Sequence, residues 1–256
     1  MGWRTRDPAV DDRLAVPVLQ RRQDPGPARH ADSRPVDLAG VRRRCCTNDA
    51  PRHLHLDRAA TQPAHLAKEL ATLDQLSGGK VELGLGVGWL EEEFDALGVP
   101  WERRGARNDE YIEAMRTLWS GPEVEFHGEF VDFPKVTCSP RPVQASIPIL
   151  VGGDSDVAIR RAARLADGYF PGEGDADRLA ALITRVRHAA DAAGRDPDSI
   201  EINAMFGQHI KDPAVGVEKF IELGVGRAMV PAFFFAGPGG LDRMDQFAEI
   251  ALAAAS

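Results

Sequence analysis

"IPILVGGDSDVAIRRAARLADGYFP", Ile147 to Pro171, decides the fold. A short apolar run ends in Gly152 and Gly153 and reads as a buried strand. Ser155 stands where an N-cap is needed, so a helix is expected to follow, with Gly168 as its stop. "GYFP" then reads as a second short strand. Strand, helix and strand in such quick succession predict a parallel pair joined by a crossover helix.

The same alternation extends in both directions. Upstream, "PAHLAKELATLDQLSGGK" predicts a helix with Leu66, Leu70, Leu73 and Leu76 on one face and a Ser-Gly-Gly stop. "VELGLGVGW" (Val81 to Trp89) reads as a buried strand with Gly84, Gly86 and Gly88 inside it. "ARNDEYIEAMRTLW" spaces Ile112, Met115, Leu118 and Trp119 as an amphipathic helix does, and "VEFHGEFVDF" alternates around a His127-Gly128 turn. Downstream come a helix with Leu179, Leu182, Val186 and Ala189 inward, the strand "IEINAMFG", and a helix opened by Asp212 and Pro213. The strand "VGRAMVPAFF" and the helix "LDRMDQFAEIALAAA" close the chain. Five strands from Lys80 onward, each followed by a helix, make an α/β chain. An open doubly wound sheet and the last five units of a TIM (β/α)8-type barrel both fit this order. The barrel reading makes strands 4–8 recognisable and strands 1–3 absent or replaced.

The 256-residue chain has the composition of a globular protein, with 43% apolar and 27% charged residues. Its formal charge of −8 argues against nucleic acid as a partner, and no apolar run is long enough to span a membrane. Three cysteines make no disulfide framework, which points to a reducing cytoplasm. The average hides a break. From Met1 to Ala67 there is no Lys, Glu, Phe, Tyr or Ile, and residues 1–63 hold twelve Arg and eight Asp. Residues 1–62 are Arg-, Pro- and Asp-rich without apolar periodicity, so the ordered domain is expected to span 63–256. A tail without order is one reading of the break. Translation of a GC-rich gene out of frame is the other, and it is favoured because the remainder starts in the middle of a fold.

The residues from "HLAKELATLDQLSGGKVELGLGVGWLEEEF" through "RNDEYIEAMRTLW", together with "PRPVQASIPILVGGDSDVAIRRAARLADGYFP", resemble the luciferase-like monooxygenase superfamily. Within it they are most similar to the oxidoreductases that use the deazaflavin coenzyme F420. The resemblance covers roughly residues 63–235 and implies a TIM barrel with an inserted segment, here about 123–146. It also implies hydride transfer between reduced coenzyme F420 and a small organic substrate, with FMN as the alternative cofactor, and a homodimer.

Candidate site residues follow. Glycines at G-x-G-x-G spacing do not make a dinucleotide fingerprint. They remove side chains from one face and let another body approach the backbone. Packing against small residues is the competing explanation. The resemblance assigns Gly86, Gly88 and Trp89 to a flat deazaflavin or flavin ring, and it assigns Gly152, Gly153 and Ser155 to the cofactor phosphate. Asp154 is an awkward neighbour for an anion, and its side chain is expected to point away. In the family's sugar-phosphate dehydrogenases a glutamate follows the last glycine; Trp89 stands there instead, which argues against that activity. Glu91 to Glu93 suit the first turn of a helix. The histidines form no metal set, and only His209 is placed near a barrel mouth. No nucleophile elbow or Cys-His pair suggests a hydrolase, and no catalytic residue is assigned. The competing view of the whole chain is a non-catalytic barrel fragment with open sheet edges at the strands from Val81 and Val225.

Overall fold

A computed structural model describes residues 52–56, 62–207 and 209–255. The expectation of a tail or out-of-frame segment over residues 1–62 falls outside the described residues except at 52–56 and 62. Those described belong to one compact unit, Leu38–Ser256.

Six parallel strands form the sheet: β1 (Arg52–Leu56), β2 (Val81–Leu85), β5 (Ile149–Gly152), β6 (Gly168–Phe170), β7 (Glu201–Met205) and β8 (Arg227–Met229), adjacent in that order. The last five are the strands expected from Lys80 onward. The sheet curls as a partial barrel rather than lying open, with six strands among the described residues. Between β2 and β5 lies a separate antiparallel hairpin, β3 (Val124–His127) and β4 (Asp132–Val136), whose turn, 128–131, follows His127 rather than centring on His127-Gly128.

One strand is additional. β1 runs parallel to β2, with Arg52 opposite Val81 and Leu56 opposite Leu85. It falls within residues 1–62, where the sequence predicts no strand. "RHLHL" does alternate Leu54 and Leu56, but over five residues between arginine-rich neighbours the signal is small. The edge of β2 is therefore covered.

Helices α1 (Pro63–Ser77) and α3 (Arg104–Ser120) pack on the outside of β2. Ile112, Met115 and Leu118 of α3 are buried as their spacing predicts, each contributing roughly 1.5–3 kcal/mol. Trp119 is fully buried and donates its indole N–H to the Ala67 carbonyl at 3.1 Å. On α1 the buried stripe is Leu66, Leu70, Asp74 and Ser77; Leu73 is exposed, contrary to the leucine pattern. Asp74 takes the inward place because its carboxylate accepts from Val81 N–H at 3.2 Å, Gln144 N–H at 3.0 Å and Gln144 Nε2 at 2.8 Å. That cluster ties α1, β2 and the inserted segment together.

Further crossover helices are α2 (Glu91–Leu97), α4 (Asp156–Leu165), α5 (Ala176–Ala192) and α6 (Pro213–Glu222), and α7 (Gly240–Ala254) follows β8. Ser155 caps α4 and Asp212 caps α6, as read from sequence. Gly168 is not the stop of α4. That helix ends at Leu165, and Gly168 opens β6 between Leu150 and Glu201. A Cβ there would meet Leu150 Cγ at 3.0 Å and the Glu201 carbonyl at 3.1 Å, so the residue is glycine for lack of room.

Candidate cofactor site

At the C-terminal ends of the adjacent strands β2, β5 and β6 lies a cavity of about 300 Å³. Barrel enzymes place their chemistry at this end of the strands. One wall is the loop after β2: Gly86, Val87, Gly88 and Trp89. The opposite wall is Gly152, Gly153 and Asp154, and Phe170 and Gly172 follow from β6. Five of the six residues expected at a cofactor, Gly86, Gly88, Trp89, Gly152 and Gly153, thus meet in one place.

The structure changes how the glycines act. β2 ends at Leu85, so Gly86 and Gly88 lie in the loop and not inside the strand; only Gly84 is in the strand, buried between His55 and Leu150. Gly88 adopts φ +80°, where non-glycine residues are strained, and a Cβ would strike the Phe94 ring at 2.5 Å. Phe94 is itself buried and meets the edge of Trp101 at 5.0 Å, with the Arg104 guanidinium 3.6 Å over Trp101. The loop is pinned from below by this stack, while Trp89 stands 77% exposed at the rim.

On the facing wall, Gly152 is half-buried, and a Cβ on it would rest in ordinary contact with the Phe170 carbonyl, at 3.4 Å. Gly153 has φ +111° and donates its N–H to Phe170 O at 3.3 Å. Tyr169, fully buried, donates its hydroxyl to Gly153 O at 3.0 Å. Burial, helped by the charge of Asp154, pushes the Tyr169 phenol far above its ordinary range, so it stays a hydrogen-bond donor. Ser155 is not in the cavity wall. It sits on the helix side of the turn, where its Oγ accepts from Ala158 N–H at 3.2 Å. Asp154 belongs to the wall after all, and its Oδ1 accepts from Gly172 N–H at 2.8 Å. Beyond Gly172, the Glu173 carboxyl is held below its usual range by the N–H groups of Asp175 and Gly174 and by Arg178.

Sequence reasoning missed Val87, Phe170, Gly172 and Tyr169. "GYFPGEG" repeats the strand-then-glycine pattern of "ILVGGDS", a signal that could have found Gly172.

The remaining candidates lie elsewhere. His209 follows β7 but packs edge-on against Phe206 and Phe220, at 6.0 and 5.6 Å between ring centres, outside the glycine cavity. Glu91 to Glu93 occupy the exposed first turn of α2. Arg161 is buried and paired with Asp109. Cys138 is a buried free thiol whose pKa burial raises, which makes it a poor nucleophile. Among the described residues no cluster of His, Cys, Asp and Glu could hold a metal ion, and no helix is long and apolar enough to cross a membrane.

Among the described residues that line the cavity, one side chain is titratable, Asp154, and that carboxylate is engaged by a backbone N–H. A curled parallel sheet with a cavity at the C-terminal ends of its strands is the architecture of a (β/α) barrel. The chain belongs to the luciferase-like monooxygenase family, whose model matches residues 59–223. An uncharacterised protein of Mycobacterium tuberculosis (strain H37Rv) is 44% identical over 164 residues, 64% of this chain and 55% of that protein. An FMNH2-dependent dimethylsulfone monooxygenase of Pseudomonas putida is 37% identical over 136 residues, 52% of this chain and 38% of that protein. The chain thus spans about half the length, or less, of these curated relatives. Among solved structures, an F420-dependent secondary alcohol dehydrogenase bound to an F420-acetone adduct superposes with a TM-score of 0.62 at 18% identity. That match covers 81% of this chain and 78% of the other, and it speaks for the fold alone.

Proposed function

We propose that the cavity holds the ring and phosphate of a deazaflavin, coenzyme F420, and that the chain derives from an oxidoreductase passing a hydride between that cofactor and a small organic substrate. The observation that carries this reading is the pair of bare glycine walls, Gly86 and Gly88 against Gly152 and Gly153, at the C-terminal ends of adjacent strands. The residues fit such a group. Gly152 leaves the floor open where a side chain would fill it, and Trp89 offers an exposed aromatic face at the rim. Ser155 stands outside the wall with its oxygen capping α4, so its O–H serves only a phosphate that reaches past the wall. When bound, the deazaflavin supplies the hydride chemistry, and the protein supplies orientation and exclusion of water. A reducing cytoplasm suits the free Cys138.

FMN is the second reading, favoured by the 37% identity to the FMNH2-dependent monooxygenase. Titration of the purified chain with oxidised and reduced coenzyme F420 and with FMN separates the two. Saturable binding of F420 by a monodisperse protein is the expected result. Binding of FMN alone favours the monooxygenase reading, and binding of neither leaves a non-catalytic barrel fragment.

A further inference from the structure

We propose that Asp154 and Tyr169 are positioning residues that lock the β5–α4 turn and the β6–α5 loop into one preset rim for the phosphate of the bound cofactor. This rests on the cofactor reading above. Three hydrogen bonds join the turn to β6 and to the loop that follows it. Tyr169 hydroxyl donates to Gly153 O at 3.0 Å, Gly153 N–H donates to Phe170 O at 3.3 Å, and Gly172 N–H donates to Asp154 Oδ1 at 2.8 Å. Gly153 is therefore held at its carbonyl and its amide, in a conformation of φ +111° that leaves Ala158 Cβ only 3.1 Å from any added Cβ. The turn has one available shape, and β6 dictates it.

This geometry also resolves an oddity of the sequence. A carboxylate beside a phosphate opposes it, yet Asp154 stands directly after the glycine pair. Its function here is mechanical: Oδ1 grips the Gly172 amide and carries the loop that leads to Glu173. Glu173 in turn accepts from the N–H groups of Gly174 and Asp175 at 2.8 and 2.9 Å, so the stiffening extends to the start of α5. Preset donors and dipoles bind a charge without the cost of ordering the loop on binding.

The test compares ligands that differ only in the phosphate. The full chain, with Tyr169→Phe, Asp154→Ala and Asp154→Asn variants, is titrated with FMN and with riboflavin. Amide hydrogen exchange is followed in parallel. Tyr169→Phe and Asp154→Ala are expected to weaken FMN roughly 3- to 10-fold, the worth of about one hydrogen bond, and riboflavin less than about twofold. Asp154→Asn keeps an acceptor for Gly172 and sheds the charge, so it should bind FMN at least as well as the parent. Without ligand, each disruptive variant should speed exchange in 152–156 and 170–174 together. Equal loss for both ligands, failure of Asp154→Asn to rescue, or faster exchange confined to the altered segment would overturn the clamp. A parent chain that binds neither ligand, nor coenzyme F420, sinks the cofactor reading instead, and exchange still judges the clamp.

Discussion

Arg227 of β8 bonds Glu82 of β2 with both arms of its guanidinium, Nη2 donating to Oε1 at 3.1 Å. Three strands, β5, β6 and β7, separate these two in the sheet order, so the pair spans the inside of the curl. Glu201 of β7 adds an oxygen 3.4 Å from the same guanidinium. Each residue lies at or near the start of its strand, which puts the cluster at the end of the barrel opposite the cavity. Bottom-face charge of this kind serves stability while the other rim serves chemistry.

Arg227→Met keeps the aliphatic stem and removes the guanidinium from Glu82 and Glu201. With Glu82 only 12% exposed, the variant should lose roughly 1–3 kcal/mol. The check is a lower urea midpoint at unchanged slope. Adding Glu82→Gln should recover part of the loss, which a double-mutant cycle measures.

Gly88→Ala and Gly98→Ala separate strain from crowding. Both residues have positive φ, +80° and +68°, but a Cβ at Gly98 meets nothing within 4 Å and one at Gly88 meets Phe94 at 2.5 Å. Gly98→Ala should cost about 1 kcal/mol from backbone strain alone. Gly88→Ala should cost at least about 1 kcal/mol more, read as the difference between their urea midpoints.

Asn108 of α3 is 1% exposed, and neither its Oδ1 nor its Nδ2 has a hydrogen-bond partner. A buried amide left unmatched is costly, so Asn108→Leu should raise stability by about 1 kcal/mol. Thermal or urea unfolding gives the sign directly; a destabilised variant contradicts the placement.

His127 ends β3 with Nδ1 2.6 Å from Asp132 Oδ1, and that hydrogen bond raises its pKa above the ordinary 6.5. A raised folded-state pKa means the contribution is complete below about pH 6.5 and is lost as pH climbs through the higher folded value. Amide protection in the β3–β4 hairpin, corrected for the base-catalysed intrinsic rate, should therefore fall across that window. In Asp132→Asn the histidine should titrate near its ordinary value by NMR, and the pH dependence of the hairpin should flatten.

The sequence shows the alternation of strands and helices well, because apolar runs, caps and glycine stops are local signals. Ser155 and Asp212 cap their helices as their positions announce. Local patterns fail where distant groups decide. Asp74 displaces Leu73 from the buried face because its partners, Val81 and Gln144, come from other segments. Gly86 and Gly88 read as strand residues, since nothing in "LGLGVG" marks the end of the ladder at Leu85. The Arg227–Glu82 pair joins residues 145 positions apart, beyond any spacing rule. Five of the six candidate site residues converge because strand ends of a parallel sheet collect whatever glycines follow them.

The most direct measurement is equilibrium binding of coenzyme F420 and FMN to the parent chain and to Gly152→Leu. The leucine fills the cavity floor beside Phe170 O while the rest of the wall is untouched. One cofactor should bind the parent at one per chain, and Gly152→Leu, unfolding at a similar urea concentration, should bind it at least about tenfold more weakly. Equal binding by both proteins would contradict the placement of the cofactor between these glycine walls.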